Sequence, residues 1–483
     1  MSRHIPFLAA LVPAIALRGL AIHGYPPALF FWADSFTYLR SAAEPVPGTF
    51  RPLGYSLFLA VLGPGQSLAL VTTVQHLLGL GLAVAAYALL RRHGLPGWGA
   101  TLAVTPVLYD EFLILLEHMI MADALFTVLA TGGIVILLRR VTPVSGACAG
   151  LLLALATLTR TIGAVVLLLT AAYLLWRGRH ALIPHLLAAA APLIAYACWM
   201  AATSGTFGLT KSEGIFLWSR TMSFADCSVI KPEPRLAVLC PDQPVGERPA
   251  APFWLWQPAS PLYKVPGADR NALAGQFART AVAAQPGDYL AAVGRDMRWL
   301  LRWERTTDRS VAVRKTNPYW FPFEPRPLKD GAAAAYEGEP VQPRIAEPYA
   351  GVLRAYQRFG YLPIPLLLVL LAGALATALV RRRHDALLPA LAATALILAP
   401  LFTAGFDVRY VVPAIPLVCV AAGLAVVRGG QPRDVVRPRD LYTASFGHVR
   451  AGGTTLVGGS RTSLTGPGRP IPGAGGPWPP PGP

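Results

Sequence analysis

The chain has 483 residues, 54% of them hydrophobic and 14% charged, which is too apolar for one soluble core of ordinary composition. Its formal net charge of +17 would suit a nucleic-acid binder. The basic residues, however, stand between apolar runs instead of forming one patch, which excludes that class and points to an all-α polytopic membrane protein.

Residues 5 to 24 form the first apolar segment. Arg18 interrupts it and no small-x-small cleavage site follows, so it reads as an uncleaved span and not as a signal peptide. The loop from 25 to 65 contains Asp34 in "FWADSFTYLRSA" and then "FRPLGYSLFLAVL", a run too short to cross a bilayer and suited to a helix lying in the interface. Apolar runs at 66 to 90, 122 to 138, 181 to 202, 359 to 380 and 411 to 427, with shorter ones between, predict about ten transmembrane helices. Arg91 and Arg92, Arg139 and Arg140, Arg177 and Arg179, and Arg381 to Arg383 occupy alternate short connections. The positive-inside bias places these connections and both termini in the cytoplasm, and the loop carrying Asp34 outside.

Four regions follow: an N-terminal transmembrane core with its first exported loop at 1–202, an extracytoplasmic domain at 203–358, C-terminal transmembrane helices at 359–427 and a disordered cytoplasmic tail at 428–483. The long exported segment is rich in proline and aromatics ("APFWLWQPASPLY", "NPYWFPFEPRP") and holds all five lysines of the chain. With one amphipathic helical stretch from about 271 to 303, it reads as a small irregular domain packed on the membrane face. Cys227 and Cys240 share it at a spacing that closes a small ring, which predicts a structural disulfide in an oxidising compartment. With no second Cys or His pair near, they do not make a metal site. Cys148, Cys198 and Cys419 fall in apolar spans and read as packing residues. The tail, dominated by Gly, Pro and Arg, suits lipid headgroups better than RNA.

Asp34 alone would be an ordinary solvated residue at a membrane boundary. Near the same outer level, however, come Arg51, then Asp110, Glu111, Glu117, His118 and Asp123 in "YDEFLILLEHMIMADALF". Glu117 and Asp123 are six positions apart, on different but not opposite faces of one helix, in apolar surroundings where an ionised group is costly. They either bond neighbouring helices or carry chemistry. Arg160 in "LTRTIG" and Arg409 in "FDVRYVVPAIP" lie on the outer side, against the positive-inside trend, and each needs a phosphate or a carboxylate; Asp407 is the simple partner for Arg409. Such a set suits transfer chemistry on a phosphate-bearing lipid. One carboxylate deprotonates an acceptor hydroxyl, and arginines neutralise a departing phosphate, a weak base that needs no general acid. No P-loop, nucleophile elbow or H-E-x-x-H is present, and the G-x-G at Gly79 and Gly81 lies in a span and reads as helix packing. With no cytoplasmic domain to hold a nucleotide sugar, a donor would arrive in the membrane. The histidines show no metal cluster; His118 beside Glu117 is the one candidate.

The Asp of the first exported loop, the "FRPLGYSLFLAVL" segment with Arg51 and Tyr55, the acidic cluster after the third span, the "LTR" step and the late "RYVVPAIPL" together resemble the GT-C superfamily of polyprenyl-phosphate-dependent glycosyltransferases. Protein O-mannosyltransferases and aminoarabinose transferases belong to it. The likeness covers residues 1–202 and 359–427. It implies inverting transfer of mannose or another simple sugar from a polyprenyl phosphate to a hydroxyl of a glycan, lipid or protein, on the outer face of a bacterial cell membrane. Asp34 takes the base position, and Glu117 or the Asp110 and Glu111 pair takes the second acidic position. Arg160 and Arg409 hold the lipid phosphate, while Arg51, Tyr55, His118 and Asp123 complete the substrate site. Ser35 stands where the O-mannosyltransferases have Glu, which counts against protein acceptors. Some members of the superfamily bind a divalent metal and others do not, so the cofactor stays open. Two other classes compete. A transporter or flippase should show helices broken near mid-bilayer and two similar halves, and an envelope scaffold that uses only the exported domain would not need the outer acids.

Overall fold

The computed structural model describes residues 2–427 apart from 64, 66, 250, 268, 305–318, 326–327 and 329–330. The expected tail at 428–483 lies outside the described residues. Among the described residues the only β-type pairing is an isolated parallel bridge between Leu29 and Met119, and the architecture is all-helical and polytopic.

From the N-terminus, α1 (Ile5–Gly24) leads through a loop into two short helices, α2 (Trp32–Ala43) and α3 (Gly54–Leu62), and then into α4 (Leu68–Arg92). Next come α5 (Gly97–Tyr109) and α6 (Glu111–Glu117), a pair bent by 52°. Two hairpins complete the first part: α7 (Ala122–Arg139) with α8 (Pro143–Thr159), and α9 (Gly163–Arg177) with α10 (Arg179–Ser204). The bend before α6 has a local cause. Asp110 leaves helical geometry and caps the next helix, its Oδ1 accepting the N–H groups of Phe112 and Leu113 at 3.0 Å each.

The segment expected to be irregular is largely helical. It contains α11 (Glu213–Thr221), α12 (Cys227–Ile230), α13 (Pro234–Ala237), α14 (Ala251–Trp256), α15 (Arg270–Ala284), α16 (Pro286–Leu300), α17 (Ala332–Glu337) and α18 (Tyr349–Tyr356). Trp218, Trp254, Phe277 and Leu239 centre a small apolar core of its own, and Cys227 and Cys240 are joined by a disulfide with an S–S distance of 2.07 Å. The amphipathic stretch expected as one helix is two, because Pro286 has no N–H to continue the ladder from α15 and starts a new helix instead. The chain returns to the bundle as α19 (Ile364–Val380), α20 (His384–Thr403) and α21 (Ala414–Val426).

Five helices (α1, α4, α7, α10 and α20) are long and apolar enough to cross a membrane, and the bent pair makes a sixth if it is one span. The sequence predicts about ten. The difference lies in α8, α9, α19 and α21, apolar helices of 17, 15, 17 and 13 residues, which at 1.5 Å per residue fall short of a hydrocarbon core of about 30 Å. Helix α8 packs against α7, α9 and α10, α4 against α5 and α7, and α21 against α5, α19 and α20. The up-and-down order puts the arginine-rich turns at one end of this bundle. The loops bearing Asp34, Arg51, Asp123, Arg160 and Arg409 lie at the other, called here the site end.

Candidate active site

Four stretches converge at the site end. Asp34 lies in the first turn of α2, where the helix N-terminus favours a negative charge. That turn is held by Ser35, whose Oγ accepts the Phe31 N–H at 2.8 Å and donates to the Ile120 carbonyl at 2.8 Å. Leu29 pairs with the same crossing, its N–H donating to the His118 carbonyl and its carbonyl accepting the Ile120 N–H, both at 3.0 Å. The start of α2 is therefore fastened to the 118–121 link that carries Asp123 into α7. Arg51 stands just before α3, and Gly54 lets α3 close on the end of α8: a Cβ there would sit 2.5 Å from the Leu158 carbonyl carbon. This contact brings the loop bearing Arg51 against the α8 end from which Arg160 emerges.

The acids and arginines pair across these stretches. Asp34 Oδ1 accepts from Arg51 Nη2 at 2.6 Å, and Asp34 Oδ2 accepts from Arg409 Nη1 at 3.1 Å, across 375 positions of chain. Arg160 is bonded to Asp123, which is buried. Arg409 Nε lies 3.1 Å from Asp407 Oδ2, and that oxygen also accepts from the Tyr319 hydroxyl at 2.9 Å. Aromatic faces brace the cations. Arg51 lies 5.3 Å over Tyr38 and Arg409 lies 4.7 Å over Phe31, while Tyr410 has Arg160 at 5.2 Å and Arg409 at 5.3 Å from its ring centre. Three carboxylates thus face three guanidinium groups. Burial works to raise the pKa of Asp34, and the Arg51 and Arg409 charges overcome it, holding the carboxyl below its ordinary range. Arg51 keeps spare capacity, since its Nη1 is buried with no hydrogen-bond partner, yet its side chain as a whole remains 22% exposed.

The other residues singled out in the sequence are held elsewhere. Glu117 is not beside Asp34. It receives Arg18 Nε at 2.8 Å and Arg18 Nη2 at 3.0 Å, and His76 Nδ1 lies 2.9 Å from it. His76 Nε2 lies 3.1 Å from His118 Nδ1, and His118 Nε2 donates to the Tyr25 carbonyl at 2.9 Å. The Glu117 carboxylate occupies the space a Cβ on Gly79 would need, so that glycine makes room for a buried side chain, while Gly81 is exposed and has nothing packed where its Cβ would be. Asp110 caps α6 and accepts the Leu362 N–H at 2.7 Å, and Glu111 is buried beside it with its N–H on the Gly360 carbonyl at 2.7 Å. Tyr55 is fully buried, its hydroxyl donating to Gln75 Oε1 at 2.9 Å and its ring edge-on to Tyr38 at 4.9 Å, so it supports Tyr38 and does not face a substrate. The sequence predicts Glu117 and Asp123 on one helix. The chain instead breaks between α6 and α7, sending Glu117 into the bundle and Asp123 to the arginine cluster. Tyr319, from the long segment between the two sets of bundle helices, and Tyr410 were missed; Tyr319 has only an aromatic-rich context as a signal, whereas Tyr410 directly follows Arg409 in "RYVVPAIPL". Among the described residues no three His, Cys, Asp or Glu side chains gather for a metal ion, and His118 is turned toward His76.

No family model and no curated protein matches the chain. Similar solved structures include the archaeal oligosaccharyltransferase AglB from Archaeoglobus fulgidus in complex with an inhibitory peptide and a dolichol-phosphate. It is 11% identical, covering 93% of this chain and 52% of that one, with a TM-score of 0.36. The Archaeoglobus fulgidus oligosaccharyltransferase tethered with an acceptor peptide is 13% identical, over 87% and 49% of the two chains, with a TM-score of 0.36. ArnT from Cupriavidus metallidurans in the apo state is 12% identical, over 86% and 77%, with a TM-score of 0.34. The chain spans about half the length of the two oligosaccharyltransferase chains. At TM-scores this low the likeness places no side chain, and what the site can do is read from its own geometry.

Proposed function

We propose that the chain is an integral membrane glycosyltransferase that moves a sugar, with inversion, from a polyprenyl-phosphate donor to a hydroxyl acceptor on the outer face of a bacterial cell membrane. Both termini are cytoplasmic in this reading, and the 203–358 segment is an extracytoplasmic domain that lends Tyr319 to the site. The observation that carries it is the convergence of Asp34, Arg51 and Arg409 with the Asp123 and Arg160 pair at one end of the bundle. A small hollow lined mostly by apolar side chains, Phe112, Ile364, Val408, Val411 and Ile415 among them, with Asp110 in its wall, adjoins the segment that carries Arg409 and Tyr410. It gives an apolar surface for the start of a prenyl stem when the phosphate sits on the arginines.

In the reaction, the Asp34 carboxylate takes the proton of the acceptor hydroxyl as that oxygen attacks the anomeric carbon. The bond from the anomeric carbon to the phosphate oxygen breaks, and its electron pair leaves with the lipid phosphate, whose growing charge Arg51, Arg160 and Arg409 offset. Asp123 holds Arg160 in place, and the Asp407 and Tyr319 pair does the same for Arg409. The second acidic position thus goes to Asp123 and not to Glu117, Asp110 or Glu111. Mannose is one candidate sugar, and glycan, lipid or protein hydroxyls are candidate acceptors. A transporter or flippase is the competing reading, but the Asp34, Asp123 and Asp407 carboxylates gather with their arginines at one end of the bundle, and the Arg18 and Glu117 pair deeper in is bonded to partners through every side-chain nitrogen and oxygen.

Transfer of labelled sugar from a polyprenyl phosphate into acceptor, measured on purified protein in liposomes, tests this. Asp34→Asn, Arg409→Ala and Arg160→Lys, which keeps a cation on the buried Asp123 but loses the planar fork, should each cut transfer sharply with the fold intact. Full activity in all three would remove the site, and with it the enzyme reading.

A further inference from the structure

The arginines that the proposed reaction needs for phosphate are already engaged. Arg51 and Arg409 both bond the same carboxylate, one on each oxygen of Asp34, and Arg160 is bonded to Asp123. Asp34 faces Arg51 from the loop before α3, Arg409 from the loop before α21, and Tyr38 from its own helix. Among the described residues, three carboxylates against three guanidinium groups leave no net positive charge for an incoming anion. These arginines can hold a donor phosphate only if a resident carboxylate yields its place. Asp123 is 1% exposed and has no solvent to turn to, whereas Asp34 is 15% exposed and sits on a short helix next to loop. The Nη1 of Arg51, buried and without a hydrogen-bond partner, marks where the guanidinium can take a further oxygen.

We infer that Asp34 is the resident occupant of the donor's phosphate site, exchanged for the phosphate when donor binds and restored when lipid phosphate leaves. This rests on the transferase reading above and adds to it a timing for the base. While both arginines hold Asp34, its carboxylate is a weak base. Once the phosphate takes the arginines, Asp34 keeps its burial but loses its counter-charges and gains an anionic neighbour, and its basicity rises. It becomes a competent proton acceptor only with donor seated, which guards an idle enzyme against activating water. After transfer, Asp34 carries the acceptor's proton and cannot compete for the arginines. When that proton passes to solvent, the carboxylate returns to Arg51 and Arg409 and displaces the lipid phosphate. Charge balances throughout: the proton gained by Asp34 matches the negative charge gained by the departing phosphate.

The test is equilibrium binding of farnesyl methyl phosphate to the full-length protein in detergent. This diester keeps one unchanging charge across the carboxylate range, and farnesol serves as the uncharged control. Asp34→Asn should bind the diester roughly tenfold more tightly than wild type, because the intramolecular competitor is gone, while farnesol binding stays the same. Wild-type affinity for the diester should rise as pH falls through the ordinary carboxylate range, since protonating Asp34 frees the arginines, and the Asn variant should show no such rise. Asp34→Ala, which removes the competitor without leaving an amide, guards against a folding artefact and should repeat the gain. Equal or weaker diester binding by both variants, or a pH dependence that survives in them, overturns the exchange while leaving the phosphate site standing. Failure of the diester to bind wild type and both variants overturns the exchange and the transferase reading together.

Discussion

Two clusters in this bundle pair carboxylates with arginines and are arranged for opposite ends. In the interior, Arg18 grips Glu117 through two nitrogens, also donates to the Leu108 carbonyl at 2.8 Å, and is 2% exposed, while His76 and His118 extend the chain of bonds to the Tyr25 carbonyl. At the site end, Asp34 divides its two oxygens between two arginines, a guanidinium nitrogen of Arg51 is left without a partner, and the groups are partly open to solvent. The difference teaches what a charge costs in each place. A buried ion is tolerated when every valence is filled, and a group with every valence filled has nothing left for a ligand.

Breaking the site end should show in turnover and not in folding. Asp34→Asn should lower the rate of sugar transfer by about a thousandfold or more, since a positioned general base contributes on the order of 10² to 10⁴. Its thermal unfolding in detergent should fall only slightly, by the modest stability that a partly exposed ion pair contributes. Breaking the interior should do the reverse. Arg18→Ala leaves the Glu117 carboxylate buried and unpaired, and should destabilise the protein by about 3–5 kcal/mol, the range for orphaning one partner of a buried pair; chemical unfolding monitored by tryptophan fluorescence reads it. Glu117→Gln keeps an acceptor for Arg18 and should cost clearly less, with transfer activity retained per folded molecule. If Glu117→Gln folds normally and is inactive, the interior cluster belongs to the chemistry and the contrast fails.

Two smaller effects sharpen the comparison. Because the arginines hold the Asp34 carboxyl below its ordinary range in the free protein, the acid limb of kcat/KM, which reports the free enzyme, should lie below the ordinary carboxylate pKa of about 4. The sign follows from linkage. A depressed pKa contributes stability that is fully present above the ordinary value and lost as pH falls through the depressed one. Weakening the clamp with Arg51→Lys should move that limb upward. The smallest change is Tyr319→Phe, which removes one hydrogen bond to Asp407. A net loss of about 1 kcal/mol should appear as roughly a fivefold fall in kcat/KM with little change in unfolding.

The charged residues at the site end were legible in the sequence because an isolated Arg or Asp stands out against an apolar background, and Arg160 and Arg409 also run against the charge bias of the loops. Their partners were harder to read. "LLEHMIMADALF" contains no Gly or Pro, so nothing in it announces the break after α6 that separates Glu117 from Asp123. Asp110 did carry a readable signal, as an Asp standing directly before an apolar helical run, which is the usual place of a capping residue. Tyr319 was out of reach, because an aromatic in a segment without periodicity gives no hint of which distant loop it will meet. Helices as short as α21 look like spans in a hydropathy trace, and their shortness appears only once the ends are fixed.

The bond from Asp34 to Arg409 ties a carboxylate of α2 to an arginine made some 375 residues later. Synthesis therefore completes this pair only after the helices from α3 to α20 have been made. A nascent chain stalled in the translocon, or a fragment released by premature termination, contains the early acid but not the late arginine that clamps it. Two separately expressed pieces, split in the long connection between the bundle's two parts, would have to reassemble before either could be assayed.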